Sequence, residues 1–180
     1  MNSDEEANYR SFVDAQAHAL RRLAYLTCGD WQLAEDAVFT ALAKLYDRWR
    51  RVDRPESYAR SMVVRAAIDE VRRPWWRREH PAGHAIPEQV GADTAPDVDE
   101  RLRIRAALAQ LPARRRAVLV LRYFEGLSVQ ETAEALNCPE ATVKSHTVRG
   151  LRTLRDVLGV DADLSADDSN GMERYASRHA

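Results

Sequence analysis

The sequence predicts an all-α protein built as two small helical domains joined by a flexible linker. Apolar residues recur at three- and four-residue spacing almost throughout, and no strand-like alternation of any length interrupts them. A stretch rich in proline and glycine breaks that periodicity near the middle of the chain. The charge also falls into blocks: the net charge is −1, yet residues 1–43 carry −4, 44–78 carry +6, 79–100 carry −6, 101–158 carry +6 and 159–180 carry −3. Screening confines fields to about 8 to 10 Å at ordinary salt, so two basic blocks can each attract phosphate although the whole chain is nearly neutral.

The first helix is expected from Asp4 or Glu5 to Cys28, with Tyr9, Phe12, Val13, Leu20, Leu23, Ala24 and Thr27 on one stripe and Gly29 ending it. Asp30 suits the N-cap of a second helix, whose apolar face is Leu33, Ala34, Ala37, Val38, Ala41, Leu42, Leu45, Tyr46 and Trp49. After the basic loop RRVDR, Pro55 opens a third helix that runs to Arg73 and is stopped by Pro74. These three helices are expected to close on one small core, forming a domain over residues 5–78. Residues 79–99 read as an acidic linker, 100–158 as a second domain and 159–180, acidic and poor in large apolar groups, as a disordered tail. In the second domain the periodicity breaks at Leu111-Pro112, resumes to Phe124 and turns at Glu125-Gly126.

The segment LSVQETAEALNCPEATVKSHTVRGLRTLR then reads as a helix-turn-helix. Ser128 can cap a short helix that turns Val129, Ala133 and Leu136 inward, and Ala133 stands where the two helices cross, so a larger side chain would push them apart. Asn137 takes the turn position usually given to glycine, and asparagine tolerates positive φ better than other residues with a side chain. A second helix from Pro139 would bury Val143, Thr147, Gly150, Leu151 and Leu154, leaving Lys144, Ser145, Val148, Arg149 and Arg152 outward. That outward set matches a DNA groove: the cations reach phosphates or guanine edges, serine donates or accepts, and valine touches a thymine methyl. The alternative for this segment alone is an ordinary helical hairpin with a solvated basic face.

With both halves placed, residues 5–158 resemble the extracytoplasmic-function (ECF) class of bacterial RNA polymerase sigma factors. The resemblance rests on DWQLAEDAVFTALAKLYDRW, PESYARSMVVRAAIDEVRR and LPARRRAVLVLRYFEGLSVQETAEALNCPEATVKSHTVRGLRTLR. It implies a sigma-2-like three-helix domain that engages the polymerase β′ clamp and the −10 element, and a sigma-4-like helix-turn-helix domain that reads the −35 element while holding the β flap. By position, Glu35, Asp36, Thr40 and Lys44 would meet the clamp, although a solvated acidic edge fits Glu35 and Asp36 equally well. Arg51, Arg54, Tyr58, Arg65, Arg72, Trp75 and Trp76 would handle the −10 element and melting, since basic and aromatic groups hold unpaired bases. For Tyr58 and the two tryptophans, packing against the first domain is the alternative. Thr142, Lys144, Ser145, His146, Val148, Arg149 and Arg152 would form the −35 recognition helix. Arg65 replaces the asparagine often found in the melting helix, and His146 and Val148 also depart from the commoner choices, so the promoter sequence does not transfer from relatives.

Other function classes find little support. No run of 18 apolar residues exists and the N-terminus is acidic, which points to a cytoplasmic protein without membrane insertion. Cys28 and Cys138 are read as small apolar residues rather than a disulfide. An enzyme would need a nucleophile, metal cluster or phosphate loop, and none is found, so no cofactor and no small-molecule substrate are expected. His80 and His84, with Glu79 and Glu88 nearby, superficially suggest zinc, but Pro81 and Gly83 between them oppose a helix that would align the imidazoles. The expected partners are core polymerase, promoter DNA and an anti-sigma factor. The rival reading is a stand-alone repressor or activator whose N-terminal helices dimerise or sense a ligand.

Overall fold

The computed structural model describes residues 2–72 and 95–159, with side chains from Leu102 onward in the second segment. Those residues fold as helices and turns with no strand among them, as the periodicity predicts. The chain divides into two compact units at Pro87 and Glu88.

The first unit is a three-helix domain of α1 (Ser3–Cys28), α2 (Trp31–Arg48) and α3 (Pro55–Arg72), with a 3-10 turn over Trp49–Arg51. Helix α1 starts slightly before the expected residue because Asn2 and Glu5 form a reciprocal capping box, which satisfies two backbone donors at the helix start. Gly29 ends it in the left-handed conformation at φ 82°, and the Asp30 carboxylate accepts from Leu33 N at 3.0 Å to open α2. Leu20 and Ala24 from α1, Ala37, Val38, Ala41 and Leu45 from α2, and Ala59, Val63 and Ala67 from α3 form the core. Small residues on α2 allow close approach, and larger rings pack at both its ends: Trp31 stacks on Tyr25 at the start, with ring centroids 4.4 Å apart, and a second group lies at the C-terminal end. There Tyr9 meets Tyr46 and Trp49 edge-on, and its hydroxyl donates to Leu42 O at 2.9 Å. Tyr46, expected on the buried face, is instead 44 % exposed: one ring edge packs on Tyr9 and the rest lies at the rim.

The second unit contains α4 (Ala95–Ala109), α5 (Ala113–Leu119) with a π-helical turn over Val120–Phe124, α6 (Val129–Leu136) and α7 (Glu140–Leu158). Helix α4 begins inside the stretch expected to be linker. Pro96 does not prevent this, since the missing N–H of a proline in a first helical turn would have had no helical partner. One cluster joins Ala107, Leu108 and Leu111 to Leu119 and Leu154; a second joins Val118, Ala133 and Val143. Arg116 is buried and donates to Ala109 O and Leu111 O, satisfying carbonyls left open where α4 ends.

Candidate nucleic-acid interface

The geometry of the α6–α7 pair follows from local chemistry. Ser128 and Glu131 form a second capping box at the start of α6, with Ser128 N donating to Glu131 Oε2 at 2.7 Å and Glu131 N to Ser128 Oγ at 3.1 Å. Asn137 ends α6 at φ 50°, ψ 56°, the left-handed conformation expected of it. Ala133 packs with Val118 and Val143 at the crossing, and Val143 is fully buried. Helix α7 is thereby fixed in rotation: Val143, Gly150 and Leu154 face inward, with Thr147 and Leu151 half-buried beside them.

The opposite face of α7 carries the predicted reading residues. Lys144, Ser145, Val148, Arg149 and Arg152 are all exposed and share that face, Val148 at 68 %. Lys144 lies 3.6 Å from Glu140 one turn earlier, an exposed ion pair that any phosphate can displace. Thr142 and His146 sit one turn apart along the border of the face, both half-buried. The His146 pKa is held below its ordinary value, first by burial and then by the charges of Arg115, Arg149 and Arg114.

In the first unit, Tyr58, Arg65 and Arg72 follow at seven-residue intervals along one side of α3. Tyr58 is half-buried against the core, and Arg48 Nη1 donates to its hydroxyl at 3.4 Å. Arg65 is half-buried and Arg72 exposed. Within the preceding loop Arg50 is committed to Glu5, at 2.7 Å from Nε and 2.6 Å from Nη2, and this arginine holds the Glu5 carboxyl below its usual range. Arg51 and Arg54 are exposed and pair with no carboxylate among the described residues. Trp75 and Trp76 lie outside the described residues, as do His80, His84 and the proposed tail.

On α2, the exposed Lys44 follows Ala37 by two turns and flanks the buried stripe, whereas Glu35 and Asp36 are exposed and Thr40 half-buried on the side away from Ala34, Ala37 and Ala41. The sequence reading missed Phe39, which stands on this same side and is 77 % exposed. The signal was present: Phe39 falls outside the three- and four-residue stripe that defines the buried face of α2. Among the described residues no group of three or more His, Cys, Asp or Glu is placed to hold a metal, and no helix is long and apolar enough to cross a membrane. Cys28 and Cys138 are not joined in a disulfide, and Cys28 Sγ donates to Asp30 O at 3.1 Å.

Residues 12–77 match the family model described as Sigma-70 region 2, and residues 101–154 match Sigma-70, region 4. The RNA polymerase sigma-E factor of Streptomyces coelicolor is 31% identical over 177 residues, covering 96% of this chain and 99% of that protein. The ECF RNA polymerase sigma factor SigX of Bacillus subtilis is 27% identical, with 96% and 95% covered. Among solved structures, the sigma factor RpoE of Bartonella quintana, determined with the anti-sigma factor NepR, has the same fold. Its TM-score is 0.66 at 22% identity, over 86% of this chain and 99% of that one.

Proposed function

This chain belongs to the ECF class of the sigma-70 family of RNA polymerase sigma factors, and from that premise we propose how its two units divide the work of promoter recognition. The observation that carries the reading is the rotation of α7: a fully buried Val143 and a buried Leu154 oblige Ser145, Val148, Arg149 and Arg152 to face outward together. In the major groove this face would read the −35 element, Arg149 and Arg152 through guanine edges or phosphates and Val148 through a thymine methyl. Thr142, Lys144 and His146 would flank those contacts.

The first unit would bind the polymerase β′ clamp through the outer side of α2, where Glu35, Asp36 and Thr40 neighbour Phe39 and Lys44 lies further along the helix at its flank. A nearly bare aromatic ring among charges is the composition of an interface anchor. The −10 element would meet Arg51, Arg54, Tyr58, Arg65 and Arg72, with Trp75 and Trp76 beyond them. Two cations free of carboxylate partners in the loop and an aromatic at the start of α3 suit a displaced single strand. Most affinity would come from core polymerase, so neither DNA contact needs to be strong alone. The protein would act in the cytoplasm as a transcription regulator without catalysing a reaction itself. It would be restrained by an anti-sigma factor, in the manner of the Bartonella protein crystallised with NepR.

Co-purification of the full chain with core polymerase, followed by mapping of the start sites the complex selects, tests this reading. The expected result is a stable complex whose start sites share paired −10 and −35 sequences. Specific binding to a palindromic operator without polymerase, with half-sites about one DNA turn apart, would instead favour the stand-alone regulator.

A further inference from the structure

Three arginines stand in the loop RRVDR between α2 and α3, and the first unit treats them unequally. Just before the loop, Trp49 packs edge-on with Tyr9 at 5.2 Å and against Phe12 at 5.3 Å, both from α1. Val52 is half-buried against the core. Arg50 lies between these two anchors, and its Nε and Nη2 both reach Glu5 Oε2, at 2.7 and 2.6 Å. The same oxygen accepts from Asn2 N at 2.8 Å, and Asn2 Oδ1 accepts from Glu5 N at 2.8 Å, so the start of α1 itself orients the carboxylate that meets Arg50. Arg51 and Arg54 are exposed. Glu5 and Tyr9 precede residues 12–77, the stretch that matches Sigma-70 region 2.

A guanidinium held through two nitrogens on one oriented carboxylate has little freedom to swing, and the backbone that carries it is restrained as well. The loop therefore alternates between anchored and outward positions: Trp49, Arg50 and Val52 are tied to α1 and the core, while Arg51 and Arg54 face solvent. We propose that Glu5 is a positioning residue for the −10 contact, holding the turn at Arg50 against α1 and so presenting Arg51 and Arg54 to the displaced strand. The inference rests on the assignment of that loop to the −10 element and adds to it a residue in the first turn of α1 that need not touch DNA. Exposed ion pairs contribute little to stability. The pair between Glu5 and Arg50 serves preorganisation instead, lowering the cost of ordering the loop when the strand binds.

The test uses holoenzyme formed from core polymerase and the full chain, with the permanganate reactivity of unpaired thymines reporting promoter opening at the −10 element. Glu5→Gln is the informative change, since glutamine can keep the capping role at this third helical position but gives up the charge that holds Arg50. Its melting temperature and its affinity for −35 DNA stay at wild-type values, yet opening falls by about 3- to 10-fold, within the range of coupling between contacting residues. Arg50→Lys, which keeps the charge but offers one nitrogen in place of two, shifts opening in the same direction. Glu5→Gln adds little to Arg50→Gln, and little to the pair Arg51→Gln/Arg54→Gln, because all four residues act through one loop. Three results overturn the positioning role: wild-type opening in Glu5→Gln, opening that rises because Arg50 is freed to bind the strand itself, or losses that multiply in full with Arg51→Gln/Arg54→Gln. A loss of opening that only tracks a fall in melting temperature overturns it too. If substituting the −10 block leaves wild-type opening unchanged, the −10 assignment of the loop itself fails.

Discussion

Arg149→Ala is the sharpest perturbation of the reading face, because the structure separates its effect on binding from its effect on folding. The side chain is exposed, and no carboxylate among the described residues pairs with it, so truncation strands no buried partner. The hydrogen bond that Thr153 Oγ1 donates to Arg149 O, at 3.0 Å, belongs to the backbone and survives. Arginine and alanine are both good helix formers, so stability should stay within about 0.5 kcal/mol of wild type. Loss of one good base contact costs about 1 to 3 kcal/mol, or about 5- to 150-fold in discrimination between the correct and a substituted −35 sequence. The assay is holoenzyme binding to the two promoters, with core affinity measured separately by competition. A variant that folds, binds core polymerase and still discriminates as wild type does would show that Arg149 does not read the promoter.

Three further outcomes follow from packing, exposure and charge. Ala133→Leu forces a larger side chain into the crossing with Val118 and Val143; it should cost about 1 to 3 kcal/mol in denaturant unfolding and weaken −35 binding with it. Phe39→Ala removes a ring that is 77 % exposed, so melting should barely change. Its affinity for core polymerase should nevertheless fall by at least about 1 kcal/mol, measured by competition against the wild-type chain. Finally, the His146 pKa is held below its ordinary value of 6.5, so the unfolded chain takes up this proton first as pH falls. The contribution of neutral His146 to stability is therefore fully present above pH 6.5 and is lost as pH falls below that value toward the folded-state pKa. His146→Gln should remove that component from a pH series of thermal melts.

Much of the fold was legible because its punctuation is local. Gly29, Asp30 and Asn137 act through their own backbone preferences and caps, and each does in the structure what its residue type suggests. The buried stripe of α7 also fixed the exposed one, since both come from a single helical period. The rest depended on contacts distant in sequence. Nothing local distinguishes Arg114, Arg115 and Arg116; their separate fates are set by the carbonyls at the end of α4 and by a glycine more than thirty residues later. Tyr46 lies at the edge of the apolar period of α2, two turns after the exposed Phe39, and so reaches the rim with its ring against Tyr9. Phe39 shows the converse: it lies off the buried stripe, and its hydrophobicity has no use inside the first unit.

The central claim is that sequence-specific DNA recognition by this chain belongs to its complex with core polymerase. Run-off transcription from a mapped promoter, with the −10 and −35 blocks substituted separately and core polymerase supplied with or without the full chain, tests it most directly. Initiation that requires the chain and falls when either block is substituted is the predicted result. Tight operator binding by the chain alone, with no initiation when core polymerase is added, would contradict the account.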